Sequence, residues 1–269
     1  MNAPLPTREG RWGDLRKRVL SAIAMITVGA MEIWLGGTAF AALVIVLTGV
    51  MIWELATMTS VETGKKPLVL AGLAAVSLAA ALSLRTDLAG AFLLIPSLVV
   101  ALTVVRDRRL AAVYAAAVMV SGYGLVILRN DIGTSAILWL VAVVIISDVM
   151  GYFVGRIVGG PKFWPAISPK KTWSGTVAGW IGAALVGLTF WLAGWGAWLL
   201  IPVSAVVAFA GQLGDIAESW IKRRAGVKDA SNLIPGHGGV MDRFDAMIGA
   251  IVLVMLGQLF WPLGPLFAG

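Results

Sequence analysis

The class of this protein is decided by the segment TAFAALVIVLTGVMIWELATM, which occupies residues 38–58 and contains one charged side chain, Glu54. A helix of about 20 apolar residues crosses the hydrocarbon core of a bilayer, because it pairs its own backbone hydrogen-bonding groups. Comparable runs recur along the 269 residues, of which 59% are hydrophobic and 13% are charged. A water-soluble domain carries about 25% charged residues, so this composition excludes one.

Together with this segment, the other apolar runs predict an all-α integral membrane protein with about nine transmembrane helices. To within several residues, the expected spans are 19–35, 38–58, 67–84, 88–105, 110–128, 134–155, 174–195, 197–221 and 244–262. The chain has no cysteine, which excludes disulfides, thiolate nucleophiles and cysteine-bound zinc.

The distribution of basic residues predicts the orientation of these helices. Lys and Arg accumulate in the cytoplasmic loops of membrane proteins. With nine spans and a cytoplasmic N-terminus, all of the 21 Lys and Arg residues except Arg85 and Arg129 lie on the cytoplasmic side. One helix more or fewer would destroy this asymmetry. We therefore expect a cytoplasmic N-terminus. The net charge of +7 is explained first by the Lys and Arg residues of the cytoplasmic segments.

Polar sequence is concentrated in the second half of the chain, where the cytoplasmic segments 156–173 and 222–243 are long and rich in Gly and Pro. We expect a cytoplasmic segment at 1–18, a scaffold of five helices at 19–131, and a catalytic transmembrane domain of four helices and two cytoplasmic loops at 132–269. The active site is expected on the cytoplasmic side of this last part. Glu32 and Glu54, within the scaffold, are interpreted as interfacial or helix-pairing residues.

The eighth span carries Asp215, Glu218, Ser219 and Lys222 on one helical face, since successive helical residues are rotated by about 100°. A carboxylate in a membrane is costly unless it is paired, hydrated or bound to a cation. One interpretation is structural: Glu218 pairs with Lys222, and Asp215 caps a neighbouring helix. The other is that Asp215 binds a divalent metal ion.

The segment GHGGVMDRFDA, residues 236–246, adds further acids and the only histidine of the chain, His237. Asp242 and Asp245 are spaced to face one ion from the first turn of a helix. The glycines allow backbone N–H groups to approach an anion closely. Basic residues suited to phosphate oxygens lie nearby at Lys222, Arg223, Lys228 and Arg243. The alternative is a solvated charged loop, but its acids and bases extend into both adjoining spans.

A third group of candidate site residues lies at the end of the sixth span and in the segment that follows it. Asp148 is interpreted either as a helix-pairing carboxylate or as a ligand of a cation shared with Asp215. Lys170 and Lys171 precede Thr172 at a predicted helix N-terminus, where free N–H groups and the helix dipole favour an anion. By itself, a basic turn before a span also fits ordinary membrane topology.

These motifs together carry a family resemblance. Residues 219–245 fill every position of the patterns S-x-x-K-R-x-x-x-x-K-D and P-x-H-G-G-x-x-D-R-x-D, which resemble the signature of CDP-diacylglycerol synthases, also called phosphatidate cytidylyltransferases. The upstream GDIAES and ISPKKTW segments are also similar to family motifs, so the resemblance covers about residues 145–247. One departure is Ser174, where the family often has Glu.

The resemblance implies that CTP and phosphatidic acid react to give CDP-diacylglycerol and pyrophosphate, with Mg²⁺ as cofactor. Its principal metal ligands are expected to be Asp215 and Asp242, with Asp148 and Asp245 as ligands or as partners of the ligands. The expected catalytic residues are Asp215, Asp242, Lys222, Arg243 and His237, the last as a phosphate or ribose contact more than an acid or base. The expected substrate-binding residues are Ser168, Lys170, Lys171, Thr172, Ser219, Arg223, Lys228, Asp229, Gly238 and Gly239.

The same resemblance implies a homodimer in a bacterial plasma membrane, with no nucleic-acid partner. The main alternative is a transporter or channel with a carboxylate-lined cation site, which would distribute polar residues through the bilayer rather than at one face. A CDP-alcohol phosphatidyltransferase would carry a DG-x-x-AR pattern, which is absent. A non-catalytic lipid-binding or scaffold protein would not require His237, Asp242 and Asp245 in this arrangement.

Overall fold

The computed structural model describes residues 8–59, 65–84, 88–104 and 107–267, with side chains from residue 18 onward. Its long helices are α1 (Arg8–Leu35), α2 (Gly37–Thr59), α3 (Lys66–Leu84), α4 (Ala89–Thr103), α5 (Arg108–Ile127), α6 (Thr134–Ile157), α7 (Trp173–Leu192), α8 (Leu200–Ala225) and α9 (Met241–Gln258). A π-helical turn, Leu128–Ile132, follows α5, and a short helix, α10 (Gly264–Phe267), ends the described chain. Two strands, β1 (Lys162–Trp164) and β2 (Ser168–Thr172), lie between α6 and α7.

Within these described ranges, seven helices are long and apolar enough to cross a membrane: α1, α2, α3, α5 with its π turn, α6, α7 and α8. The α4 helix is apolar but has only 15 residues, and α9 begins with the charged run from Asp242 to Asp245. Large apolar side chains such as Ile26 and Leu102 are exposed, as expected for surfaces that face lipid. The prediction of a helical, multi-pass membrane protein is confirmed in this coarser form.

The structure differs from the predicted elements mainly at the polar segments. The segment predicted as a loop between the sixth and seventh spans contains an antiparallel hairpin, in which Lys162 lies opposite Thr172. The α8 helix continues past the predicted end to Ala225 and stops at Gly226, which has a φ of 77°. The α9 helix begins at Met241 rather than near residue 244. Apolar content located the apolar part of each helix and missed the charged turns that extend α8 and α9.

Glycines set the closest helix contacts. At the α8/α9 crossing, a Cβ on Gly249 would lie 2.9 Å from the Cα of Gly214, and it would also overlap the carbonyl oxygen of Ala210. At the α6/α7 crossing, a Cβ on Gly175 would lie 2.5 Å from the carbonyl oxygen of Gly151. Such small residues allow helix backbones to approach closely in a membrane. Both crossings place the polar residues of neighbouring helices side by side.

The two halves of the chain are packed together. The α5 helix contacts α9, and α2 contacts both α8 and α9. In the π-helical turn after α5, Arg129 donates hydrogen bonds to the carbonyl oxygens of Ile33 (2.5 Å) and Trp34 (3.1 Å). These bonds cap the last turn of α1. Arg129 is one of the two basic residues that the topology prediction leaves outside the cytoplasm, and its capping contact gives it a structural role that does not depend on the orientation.

Candidate functional site

Three carboxylates converge where α8 crosses α9. Asp215 and Glu218 lie one turn apart on α8, Asp245 comes from α9, and one oxygen of each lies within 4.8 Å of those of the other two. The close approach at Gly214 produces this arrangement, because a Cβ there would lie 2.5 Å from the carbonyl oxygen of Asp245 itself. We call Asp215, Glu218 and Asp245 the acid cluster.

The acid cluster fits a hard divalent cation. Glu218 is fully buried, and among the described residues its Oε1 has no hydrogen-bond partner. Three carboxylates this close repel one another, and a buried carboxylate oxygen without a hydrogen-bond partner is unfavourable. Mg²⁺ and Ca²⁺ prefer oxygen ligands of this kind. Glu218 as a member of the cluster was missed from sequence, where it was considered only as the partner of Lys222.

Two lysines connect the acid cluster to its surroundings. Lys222 lies 2.5 Å from Oε2 of Glu218 and 2.5 Å from Oδ1 of Asp242. Lys171, on β2, lies 2.5 Å from Oδ2 of Asp215. The predicted ion pair between Glu218 and Lys222 is therefore present, whereas Asp215 pairs with a lysine of the hairpin instead of capping a neighbouring helix. The hydroxyl of Ser219 also donates to Asp215, at 3.4 Å.

Asp242 has a different set of partners from Asp245. Its Oδ2 accepts hydrogen bonds from the backbone N–H groups of Ala230 (2.8 Å) and Gly239 (2.7 Å). Together with the Lys222 contact, these bonds engage both oxygens and tie the two ends of the 230–241 loop to the first turn of α9. The role of Asp242 as a metal ligand stays a prediction.

A second carboxylate holds the same loop from the first half of the chain. Glu54, on α2, is fully buried and accepts hydrogen bonds from the Ser231 hydroxyl (2.6 Å) and the N–H groups of Val240 (2.9 Å) and Met241 (2.7 Å). Sequence reasoning described Glu54 only as an interfacial or helix-pairing residue. The available signal was a single charged residue within an apolar span, since such residues usually have a specific partner.

His237 lies in the same loop but outside the acid cluster. Its Nδ1 is 2.8 Å from the hydroxyl oxygen of Ser21 on α1, and that hydroxyl also lies 3.0 Å from the carbonyl oxygen of Pro235. The flanking Gly236 and Gly238 have φ values of 76° and 82°, which other residues rarely adopt. The glycine pattern thus serves a tight loop, and a role for His237 or Gly238 in substrate contact remains a prediction.

A cavity of about 430 Å³ adjoins the acid cluster and is bounded by α6, α7, α8 and the hairpin. This volume lies within the range of about 300–1,000 Å³ that is usual for small-molecule sites. Its charged lining residues are Asp148, Arg156, Lys162, Lys170 and Lys171. The cavity therefore suits an anionic ligand, and the contact of Lys171 with Asp215 connects it to the acid cluster.

Buried hydrogen bonds fix the wall of this cavity. The Gln212 side chain accepts from Trp180 Nε1 (3.0 Å) and donates to the carbonyl oxygen of Thr176 (3.2 Å) and to Ser147 Oγ (3.4 Å). Its backbone carbonyl oxygen accepts from Lys171 at 3.3 Å. Gln212 thus links α6, α7, α8 and β2, although no sequence pattern indicated this role.

The N-terminus of α7 is closed by the chain itself. Thr172 is the N-cap residue, and its hydroxyl accepts a hydrogen bond from the N–H of Gly175 at 3.2 Å. Ser174, at the position where the resembling family often has Glu, donates to the carbonyl oxygen of Gly159 and also contacts Thr172. Ser174 therefore fastens the start of α7 to the segment after α6.

Tyr114, on α5, is a further residue that the sequence did not indicate. Its side chain is buried, and among the described residues its hydroxyl has no hydrogen-bond partner. The hydroxyl lies within electrostatic range of Glu218 and Asp245. Tyr114 therefore adds a residue of the predicted scaffold to the surroundings of the acid cluster.

Several predicted substrate-binding residues, and the predicted catalytic residue Arg243, lie at the surface and not in the acid cluster. Arg223, Lys228, Asp229 and Arg243 are exposed, and Ser168 is half-buried at the start of β2. They belong to α8, to the segment that follows it, to α9 and to the hairpin, and their roles remain predictions.

Comparison with known proteins identifies the family. The sequence model of the cytidylyltransferase family matches residues 16–260. A phosphatidate cytidylyltransferase of Brucella abortus is 34% identical over 260 residues, which cover 92% of this chain and 94% of that protein. One of Staphylococcus haemolyticus is 30% identical over 89% of this chain and 97% of its own length. The suggested resemblance is confirmed, and the chain belongs to the cytidylyltransferase family.

Proposed function

We propose that this protein is a CTP:phosphatidate cytidylyltransferase that forms CDP-diacylglycerol and pyrophosphate. Family membership and the names of the relatives support this assignment. The observation in the structure that carries it is the contact between Lys171, which lines the basic cavity, and Asp215 of the acid cluster. A nucleoside triphosphate needs both kinds of group, because its phosphates bind a cation and basic side chains together.

The proposed cofactor is Mg²⁺, held by Asp215, Glu218 and Asp245, with Asp148 and Asp242 as neighbouring carboxylates. The three clustered oxygens and the unpartnered Oε1 of Glu218 support this choice. When bound, Mg²⁺ would neutralise phosphate oxygens and the charge that develops on the leaving pyrophosphate. Both oxygens of Asp242 already bind groups of the protein. To become a metal ligand, Asp242 would therefore have to give up hydrogen bonds that it makes within the loop.

The reaction requires one bond to form and one to break. An oxygen of the phosphatidate phosphate attacks the α-phosphorus of CTP, and the bond to the oxygen shared with the β-phosphate breaks, so that pyrophosphate leaves with the electron pair. The attacking oxygen is already anionic at neutral pH, so no strong general base is needed. The task of the chain is therefore orientation and charge neutralisation, which the basic residues of the cavity, Lys162, Lys170 and Lys171 among them, would supply.

We further propose that all nine long helices cross or enter the membrane and that the site opens to the cytoplasm. The asymmetry of basic residues supports this orientation, and CTP is a cytoplasmic solute. The relatives are bacterial, which supports a plasma-membrane location. Phosphatidate would then enter from the bilayer while CTP enters from water. A homodimer is proposed from the family resemblance alone.

Purified protein in lipid vesicles tests the assignment directly. Incubation with radiolabelled CTP, phosphatidate and Mg²⁺ should transfer label to the lipid fraction and release pyrophosphate, and a chelator should stop both. Asp215→Asn should abolish transfer. No lipid-linked CMP from the parent protein, or Asp215→Asn and Asp242→Asn variants as active as the parent, would overturn the proposed function.

A further inference from the structure

The 230–241 loop is closed twice, by two carboxylates from different halves of the chain. Asp242 binds Ala230 at the start of the loop and Gly239 near its end. Glu54 repeats this pattern one residue further on, since it binds Ser231 at the start and both Val240 and Met241 at the end. The loop would therefore remain closed at Glu54 even if Asp242 changed partners.

We propose that Glu54 is a positioning residue for the reaction, acting through the start of α9. It fixes the N–H groups directly before Asp242, one turn from Asp245 of the acid cluster. It also allows Asp242 to leave its loop contacts without opening the loop. This inference rests on the proposed function. It means that α2, in the first half of the chain, helps to position the active site.

The local contacts make Glu54 difficult to replace. Oε1 accepts from Ser231 and Val240, and Oε2 accepts from Met241, so both oxygens are used. Val240 and Met241 are buried, which leaves their N–H groups no access to bulk water. A carboxylate at a helix N-terminus also interacts favourably with the helix dipole. A glutamine would keep one acceptor and place an NH₂ group against N–H donors.

The loop is shaped around this carboxylate. A Cβ on Gly239 would overlap Oε1 of Glu54, so the glycine is required for the close approach. The N–H groups of Gly239, Val240 and Met241 therefore bind the protein's own carboxylates. The glycine-rich pattern was interpreted as a phosphate-binding loop. In this structure its N–H groups bind the carboxylates of Glu54 and Asp242 instead.

The test compares Glu54→Gln with Glu54→Asp, Ser231→Ala and Glu32→Gln in the full chain. Since misplacement of a catalytic group by about 1 Å can cost about 100-fold in rate, we expect Glu54→Gln to lower kcat by about 10- to 100-fold. The half-saturating Mg²⁺ concentration should rise, while the KM for CTP changes little because the basic cavity is intact. Ser231→Ala, which removes one donor, should have a smaller effect, and Glu54→Asp should restore part of kcat. Glu32→Gln, the same change on α1, should match the parent protein.

The measurements separate positioning from stability. Gel filtration and thermal unfolding give the amount of folded protein for each variant. Mn²⁺ binding is measured by electron paramagnetic resonance in the absence of substrate. A Glu54→Gln variant with the parent's kcat per folded molecule and the parent's Mn²⁺ affinity would overturn the inference. If the parent protein formed no lipid-linked CMP, the proposed function would fail, and unchanged Mn²⁺ binding by Glu54→Gln would still decide against the positioning role.

Discussion

The α8/α9 and α6/α7 crossings use the same packing device and produce opposite electrostatic environments. Each has glycines in close contact, Gly214 against Gly249 in the first and Gly151 against Gly175 in the second. The first crossing brings three carboxylates together. The second forms one wall of a cavity whose charged residues are mainly basic. Close helix packing thus builds both a candidate cation site and a candidate anion site.

The difference between the crossings comes from the residues beside the glycines. On α8, Asp215 directly follows Gly214, so the point of closest approach is also the point where acids meet. On the α6/α7 side, the hairpin after α6 adds lysines that extend over the cavity. Lys171 is the only residue among those described that both lines the cavity and forms an ion pair with the acid cluster. The comparison therefore predicts separable defects in cation binding and nucleotide binding.

Of the variants that compare the two crossings, Asp245→Asn should have the largest effect, because it removes one charge from the acid cluster without a large change in shape. Loss of one electrostatic group that acts on a transition state typically lowers kcat by about 10²- to 10³-fold. Measured at saturating CTP, kcat should fall in this range, and Mn²⁺ binding should weaken. Asp107→Asn, which removes a surface partner of Arg224, should leave both quantities unchanged. Equal activity of the Asp245→Asn variant and the parent would contradict the cation-site assignment of the α8/α9 crossing.

Lys171→Met should affect nucleotide binding more than cation binding. A hydrogen bond to a charged group contributes about 1.5–3 kcal/mol, which corresponds to a rise of roughly 10- to 100-fold in the KM for CTP. The initial rate as a function of CTP concentration measures this change. Arg109→Met, which removes an exposed positive charge on α5, is the control for net charge. If Lys171→Met altered only the Mg²⁺ dependence, Lys171 would act on the cation site and not on nucleotide binding.

Gly249→Ala should push α8 and α9 apart. The added Cβ would overlap the carbonyl oxygen of Ala210 and the backbone of Gly214, and overpacking of this kind typically costs about 1–3 kcal/mol. A lower thermal unfolding temperature in detergent and weaker Mn²⁺ binding are the expected results. Gly72→Ala, on α3, is the matched control because a Cβ there meets nothing within 4 Å. Unchanged stability of Gly249→Ala would show that this crossing can relax without cost.

The membrane class and the proximity of Asp215 to Asp245 could be predicted from the sequence. Apolar runs of sufficient length report bilayer spans, and charged residues within them report a site. The hairpin could not be predicted in this way, because β1 and β2 together have only a few residues and no strong alternation of polarity. The end of α8 was misplaced for a related reason: the hydropathy signal stops where the charged residues begin, whereas the helix continues to Ala225.

The partners of the carboxylates were the least predictable part of the site. Spacing along α9 suggested that Asp242 and Asp245 face one ion, but the 230–241 loop folds back and engages Asp242. Glu54 is 186 residues away from Val240 in sequence, and no local pattern connects them. Such contacts depend on how distant helices pack, which a pattern within one helix cannot encode.

Tyr114→Phe should have the smallest effect and tests whether the predicted scaffold contributes to the acid cluster. The hydroxyl is buried and has no partner among the described residues, so its removal should not lower the stability of the metal-free protein. If the hydroxyl hydrogen-bonds a water or carboxylate of the loaded site, its loss removes about 0.5–1.5 kcal/mol, or roughly a 2- to 10-fold rise in half-saturating Mg²⁺. Tyr123→Phe, on the same helix, should leave the Mg²⁺ titration unchanged. An identical titration for both variants would assign Tyr114 to packing alone and confine the cation site to α8 and α9.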